Sequence, residues 1–225
     1  MQAPLVVLCA GKESLHEINR WHLKEKRAFE LWIVAYSPET SVDGADHSVF
    51  STGTKWDLIR EVSGRIIEKN PPWLWLPDDD VAVDVTAVNS FFDRLSRYDA
   101  SQMMIIAQPS LHPRHVSCAE LVHRPGSTED QDIGFVEIQM PCFSCSLLSR
   151  IVSFLQENAE NKSGWGLDCV WSRWPGVCKK LVNSVVAVHT RPVDVTGGFY
   201  ARYGIDPVTE KEQTIKKYVS VPVSP

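Results

Sequence analysis

Hydrophobic residues along the chain fall into short unbroken runs separated by amphipathic stretches. Residues 4–10 form a continuous apolar run that reads as a buried strand. Phe29 to Tyr36 reads as a second, closed by Ser37-Pro38. Further strands are predicted over 73–77, 103–107, 135–140 and 182–188. Between them lie segments of helical period. Leu15, Ile18, Trp21 and His22 share a face over 15–28, and Trp56, Ile59, Val62 and Ile66 share one over 55–69. Thr54 is placed to cap the second, and Asn70-Pro-Pro72 to stop it. Val88, Phe91, Phe92 and Leu95 predict an inward helical face over about 85–97. Helices are also expected over 144–156 and from 167 onward, after a tight turn at Ser163-Gly-Trp-Gly166.

Residues 39–52 read as irregular, and 108–133 as a long loop rich in His, Pro and Gly. The order of strands and helices predicts one α/β domain over 1–204, a Rossmann-type sandwich whose mostly parallel central sheet is flanked by helices. Residues 205–225 are expected to form a polar tail outside the core, with a short charged helix over 208–217. In such sheets ligands bind beyond the carboxyl ends of the strands. Gly11-Lys12, Asp78 to Asp80 and His189 all follow strand ends, so one rim can collect them.

Bulk composition changes this picture little. At 225 residues, 44% hydrophobic and 23% charged, the chain suits one sizeable soluble core. A formal net charge of -5 argues against a broad nucleic-acid surface. No apolar run approaches bilayer length. The start lacks a basic leader and is read as the first strand. Six cysteines, among them Cys9, Cys169 and Cys178 in apolar or helical surroundings, fit reduced thiols and a cytoplasmic location.

The chemistry concentrates at Asp78-Asp79-Asp80, directly after Trp73-Leu-Trp-Leu-Pro77. Three adjacent carboxylates repel one another unless a cation sits between them or solvent screens them. A hard divalent ion such as Mn²⁺ or Mg²⁺ suits them. Asp80 is the first choice for a direct ligand, and Asp78 or Asp79 could instead hold a ribose hydroxyl or a metal-bound water. Asp84 belongs with the following helix start. His189, closing the last strand, reads as a further metal ligand or as a structural hydrogen-bonding residue. Arg191 can meet a phosphate or a nearby carboxylate. In Ser163 to Asp168, Trp165 offers a face for stacking on a sugar, and Asp168 is either a general base or an acid favoured by the helix dipole. Cys142-Phe-Ser-Cys145 reads as structural thiols. His112-Pro-Arg-His115, with His123, reads as a polar loop, a transition-metal site or an acceptor-binding lid.

Taken in order, the Asp triplet, the Gly164-Trp-Gly-Leu-Asp168 turn and His189 resemble the parts of GT-A glycosyltransferases. More narrowly, four segments resemble a family catalogued as domain of unknown function 707, found in bacteria and plants. They are Phe29-Glu-Leu-Trp32, Trp75-Leu-Pro-Asp-Asp-Asp-Val81, Ala107-Gln-Pro-Ser-Leu111, and Ser163 to Asp168 with His189-Thr-Arg-Pro192. The resemblance implies a GT-A-like fold and transfer of a sugar from a nucleotide-sugar donor to a hydroxyl on a glycan, a lipid-linked sugar or a small molecule. It makes Asp78, Asp80 and His189 the ligands of Mn²⁺ or Mg²⁺. Ala10, Gly11, Lys12, Lys55, Asp78, Asp79 and Arg191 would face the donor nucleotide. Asp168 would be the base of an inverting reaction, whereas a retaining reaction, which the sequence leaves open, would not need it, and Trp165 and Gly166 would shape the acceptor site. Two rivals remain: a metal-dependent nucleotidyltransferase or phosphoesterase, and a non-catalytic nucleotide-sugar-binding module.

Overall fold

The computed structural model describes residues 2–113, 118–191, 200–201 and 203–219. Strands β1 (Leu5–Ala10), β2 (Glu30–Ala35) and β3 (His47–Phe50) precede helix α1 (Lys55–Lys69). Strands β4 (Trp73–Trp75) and β5 (Val81–Ala82) lead to α2 (Val85–Leu95). Strands β6 (Ile105–Leu111), β7 (Asp130–Asp132) and β8 (Cys142–Ser144) are followed by α3 (Leu148–Glu157) and the short α4 (Leu167–Trp171). The long β9 (Cys178–His189) and α5 (Pro207–Val219) complete the described chain. Among the described residues, no helix is long and apolar enough to cross a membrane.

The strands form one nine-stranded sheet in the order β3-β2-β1-β4-β8-β6-β9-β5, with β7 beside β9. Pairing is parallel across β3-β2-β1-β4 and between β6 and β9. It is antiparallel where β8 enters between β4 and β6 and where β5 and β7 meet β9. The sheet is therefore mixed. Every residue of β1 and β6 is buried, as strands covered on both faces must be.

Local chemistry explains the elements that form as expected. In α1 the Thr54 N–H and hydroxyl both donate to Asp57 Oδ2, at 3.2 and 3.1 Å, and Asn70 closes the helix in the left-handed region at φ 46°. In α2 the Asp84 carboxylate accepts from Ala87 N at 2.9 Å, so this acid is a cap. Trp75 anchors the core. Its ring lies 5.5 Å from Trp21 and 5.6 Å from Phe91, and its Nε1 donates to Met140 O at 2.9 Å.

Four expectations are corrected. Residues 15–28 form turns and a single short 3-10 turn rather than a helix. Asn19 Nδ2 donates to Val81 O and Trp21 Nε1 to Val83 O, and Arg20 adopts φ 64°, so tertiary bonds override the helical period. The polar stretch 39–52 contains the half-exposed edge strand β3. Residues 135–140 are not a strand, because the Gln139 carbonyl serves Asp78 N and Lys55 Nζ instead of a ladder. The tail helix α5 docks onto the body: Thr214 is buried, and Tyr218 packs against the core and takes a 2.7 Å bond from Asn158.

Replacing Trp75 by Ala removes a fully buried indole from this cluster. The expected loss is about 3–5 kcal/mol of stability, read as a lower midpoint in denaturant unfolding, with Trp75→Phe losing clearly less.

Candidate active site at the strand ends

Three strand ends build the site. After β4 the chain turns through Asp78, Asp79 and Asp80, with Asp78 N donating to Gln139 O at 2.7 Å and Val81 N to Asp78 O at 3.3 Å. The two residues of β5 then pair antiparallel with the end of β9, setting Val81 opposite His189. Thr190 fastens this register, since its N–H and hydroxyl both donate to Asp80 O, at 3.1 and 2.7 Å. Two residues far apart in sequence thereby meet: His189 Nε2 lies 3.2 Å from Asp80 Oδ2, and both side chains are buried. One ligand atom from each of Asp78, Asp80 and His189 lies within 4.8 Å of the others. Among the described residues this is the one cluster of three or more such side chains that could hold a metal.

Each aspartate of the triplet has its own partner. Asp78 Oδ1 takes a 2.6 Å bond from Lys55 Nζ, which also donates to Ile138 O at 2.9 Å and Gln139 O at 3.2 Å. The three N–H groups of an ammonium are thus all engaged. Asp79 Oδ2 accepts from Gly11 N at 3.1 Å and from the Tyr36 hydroxyl at 2.7 Å, while Arg191 Nη1 approaches its other oxygen at 3.6 Å. A Cβ at Gly11 would sit 2.6 Å from the Tyr36 ring, so this approach needs glycine. Asp80 faces His189.

Burial and crowding set the charges. Burial raises the Asp78 pKa, the Lys55 ammonium opposes the rise, and the Asp80 carboxylate adds to it. Burial disfavours charge on His189, yet the Asp80 hydrogen bond and the Asp78 and Glu137 carboxylates outweigh it, and its pKa is raised. Burial and the Asp79 carboxylate push the Tyr36 hydroxyl up.

A cleft of about 790 Å³ opens over these groups, and Asp168, Trp165 and Gly166 line it together with the triplet. Gly164 (φ 82°) and Gly166 (φ 89°) hold the turn that carries them, and a Cβ at Gly164 would collide with Trp56 Nε1 at 1.8 Å. Trp165 Nε1 donates to the Tyr200 hydroxyl at 3.0 Å. Burial raises the Asp168 pKa to about 6, against the pull of Cys169 N, which donates to it at 2.8 Å.

Of the residues singled out in the sequence, Lys55, Asp78, Asp79, Asp80, Trp165, Gly166, Asp168, His189 and Arg191 line this cleft. Ala10, Gly11 and Lys12 do not. The Ala10 carbonyl accepts from Tyr36 N and Thr40 Oγ1, Gly11 stands behind Asp79, and Lys12 is exposed. Arg191 is tied to Glu13, whose carbonyl it meets at 3.0 Å. Cys142 is fully buried, Cys145 donates to Ala100 O, and all six cysteines are free, although Cys178 is exposed. His123 Nδ1 lies 3.1 Å from the Asn183 carbonyl, and His115 and Pro192 lie outside the described residues. Sequence reasoning missed Tyr36, Glu137 and Tyr200, which also line the cleft. Tyr36 directly follows β2, so the strand-end rule could have found it. Glu137 and Tyr200 carry no signal in the sequence.

No family model matches the chain, and no curated protein matches it in sequence. Solved structures do. GalNAc-T7, crystallised with UDP, GalNAc and Mn²⁺, gives a TM-score of 0.57 at 12% identity, covering 97% of this chain and 48% of that one. Residues 1–349 of TarS from S. aureus give 0.56 at 11% identity, covering 100% and 76%. The fold is that of the GT-A glycosyltransferases. Glucosyl-3-phosphoglycerate synthase from Mycobacterium tuberculosis, solved with Mn²⁺, UDP and glucosyl-3-phosphoglycerate, gives 0.49 at 13% identity, covering 99% and 82%. The chain spans about half the length of the GalNAc-T7 chain it matches. At these identities the likeness is one of fold. The narrower resemblance to domain of unknown function 707 stands on its four segments alone.

The Asp168 carboxyl binds its proton more tightly in the folded chain than in the unfolded one, where its pKa is about 4. The native state therefore carries the extra proton between about pH 4 and about pH 6, and stability falls as pH rises through that window. Asp168→Asn removes the penalty. The variant is expected to be more stable than the parent by about 1–3 kcal/mol at pH 7.5, after allowance for partial exposure, with the gap closing towards pH 4 in urea unfolding.

Proposed function

We propose that this chain is a metal-dependent glycosyltransferase that moves a sugar from a nucleotide-sugar donor to an acceptor hydroxyl. The observation that carries the reading is the meeting of Asp78, Asp80 and His189 at one lip of a cleft that Asp168 also lines. The donor set fits a divalent ion. Two carboxylates and an imidazole stand close together, Asp80 and His189 buried and Asp78 half-buried, and the Lys55 ammonium offsets the charge of Asp78 while Asp80 faces the imidazole. The mixture of oxygen and nitrogen ligands favours Mn²⁺ over Mg²⁺. When bound, the ion would offset the charge of a nucleoside diphosphate as it departs.

The chain's own residues do the rest. Lys55 holds Asp78 at 2.6 Å and keeps one carboxylate oxygen fixed. Its three N–H groups are occupied, so the phosphate role expected for it passes to Arg191, whose planar fork suits phosphate oxygens. Asp79 would face the donor nucleotide from the cleft wall. It ties the loop after β1 to the tyrosine after β2, and so shapes the wall against which the nucleotide rests. Trp165 gives the acceptor a flat apolar face. Asp168 takes the proton of the attacking hydroxyl, and the hydroxyl oxygen displaces the nucleoside diphosphate from the anomeric carbon with inversion.

Nucleoside diphosphates screened with and without Mn²⁺ test the donor site. One nucleotide should raise the thermal midpoint by several degrees with the metal and leave it unchanged without it. Asp80→Asn and His189→Ala should each abolish that rise. Pyrophosphate release from nucleoside triphosphates, with no cleavage of any nucleoside diphosphate sugar, would favour the nucleotidyltransferase rival instead.

A pH–rate profile tests the base. Turnover of the donor should fall on the acid side with a break near pH 6, because Asp168 must be ionised to accept a proton. Asp168→Asn should lower kcat by roughly 10²–10⁴-fold while leaving the metal-dependent nucleotide shift intact. Turnover unchanged in that variant would remove Asp168 from the mechanism, and wild-type binding without turnover would leave a binding module.

A further inference from the structure

Helix α5 does more than cover the body of the fold. Its Glu210 carboxylate reaches the backbone of the acceptor turn, accepting from Lys162 N at 3.2 and 3.1 Å and from Ser163 N at 2.7 Å. One helical turn later, Thr214 Oγ1 accepts from Asn161 Nδ2 at 2.8 Å. Asn161 passes this grip on, because the same amide nitrogen donates to Trp165 O at 2.9 Å and its oxygen accepts from Gly164 N at 2.7 Å. The backbone of Lys211 closes over Gly166, 3.0 Å from where a Cβ would stand. The residues that carry Trp165 and Asp168 are thus held from outside, by an element more than forty positions downstream.

We infer that Glu210 is a positioning residue for the acceptor side of the site: it fixes the 161–166 turn so that Trp165 and Asp168 face the cleft in one orientation. Three features support this. The turn has two glycines at positive φ and little ladder bonding of its own, so external anchors decide its shape. The acceptors that α5 provides are a carboxylate and a hydroxyl aimed at backbone or amide N–H groups, and the carboxylate bond from Ser163 N, at 2.7 Å, is charge-assisted and short. Finally, Glu210 has no cationic partner among the described residues that would explain it as a surface ion pair. The inference rests on the proposed function for its meaning in catalysis, though its structural core does not need it.

The experiment compares Glu210→Ala, Glu210→Gln and Thr214→Val in the full chain. Amide hydrogen exchange should quicken on the order of tenfold at Lys162, Ser163 and Gly164 in the Ala variant. Amides in α1 and β9 should keep parental rates, and Glu210→Gln, which retains an acceptor oxygen, should recover much of the protection. Carboxyl NMR should find the Asp168 titration near its parental midpoint in the Gln variant and moved towards ordinary carboxylate values in the Ala variant, as water enters the loosened turn. With a donor in hand, the Ala variant should lose kcat on the order of 10–100-fold while the donor KM holds. Should the Ala variant unfold as a whole, Thr214→Val makes the same test through Asn161. Unchanged exchange at 162–164 and an unmoved Asp168 titration would overturn the inference even in an active enzyme. The expected exchange and titration changes in a protein that turns over no donor would uphold the positioning and overturn the glycosyltransferase reading alone.

Discussion

The arrangement of the site depends on one short piece of backbone pairing. Two residues of β5 run antiparallel to the end of β9, and Thr190 clasps the Asp80 carbonyl with both its N–H and its hydroxyl. Without that clasp, the acidic turn after β4 and the imidazole after β9 would be ends of two strands that are not neighbours in the sheet. With it, Asp80 and His189 sit at 3.2 Å and the Asp78 carboxylate lies alongside. Backbone hydrogen bonds suit this task, because they fix register and cannot swing as a long side chain can.

Around that clasp the charges are arranged in layers. Lys55 and Arg191 each face one carboxylate of the triplet, and both reach it from loops or helix starts that other contacts already hold. Negative charge remains concentrated near His189, where the Asp80, Asp78 and Glu137 carboxylates raise the pKa of the ring. At Asp168 the conditions differ. Asp168 sits near cationic Lys211 but is held up to about 6 by burial. One cleft is therefore lined both by a cluster able to hold a cation and by a carboxyl whose pKa burial raises.

Much of this was legible in the sequence, for a physical reason. Buried strands read as unbroken apolar runs, and the loop after such a strand lies at the rim where ligands bind. That rule alone placed the Asp triplet and His189 together, and the double glycine marked the Asp168 turn. What was not legible depended on bonds between distant parts. The helical period of 15–28 gave way to side-chain bonds from Asn19 and Trp21 to the carbonyls of residues 81 and 83. The apolar 135–140 lends its carbonyls to Lys55 and Asp78, and so cannot be a strand. Helix α5 looked like a tail because its hold on the fold is largely polar, through Glu210, Thr214 and Tyr218, and periodicity of apolar residues is blind to such contacts.

The central claim is that one divalent cation is gripped jointly by Asp78, Asp80 and His189. Its most direct test is anomalous diffraction at the manganese edge from crystals soaked with MnCl₂ and a nucleoside diphosphate. The account predicts a single strong peak within roughly 2.5 Å of a carboxylate oxygen of Asp78, of a carboxylate oxygen of Asp80 and of a ring nitrogen of His189. A nucleotide bound in the cleft with no manganese between these residues, or with manganese held elsewhere, would contradict it.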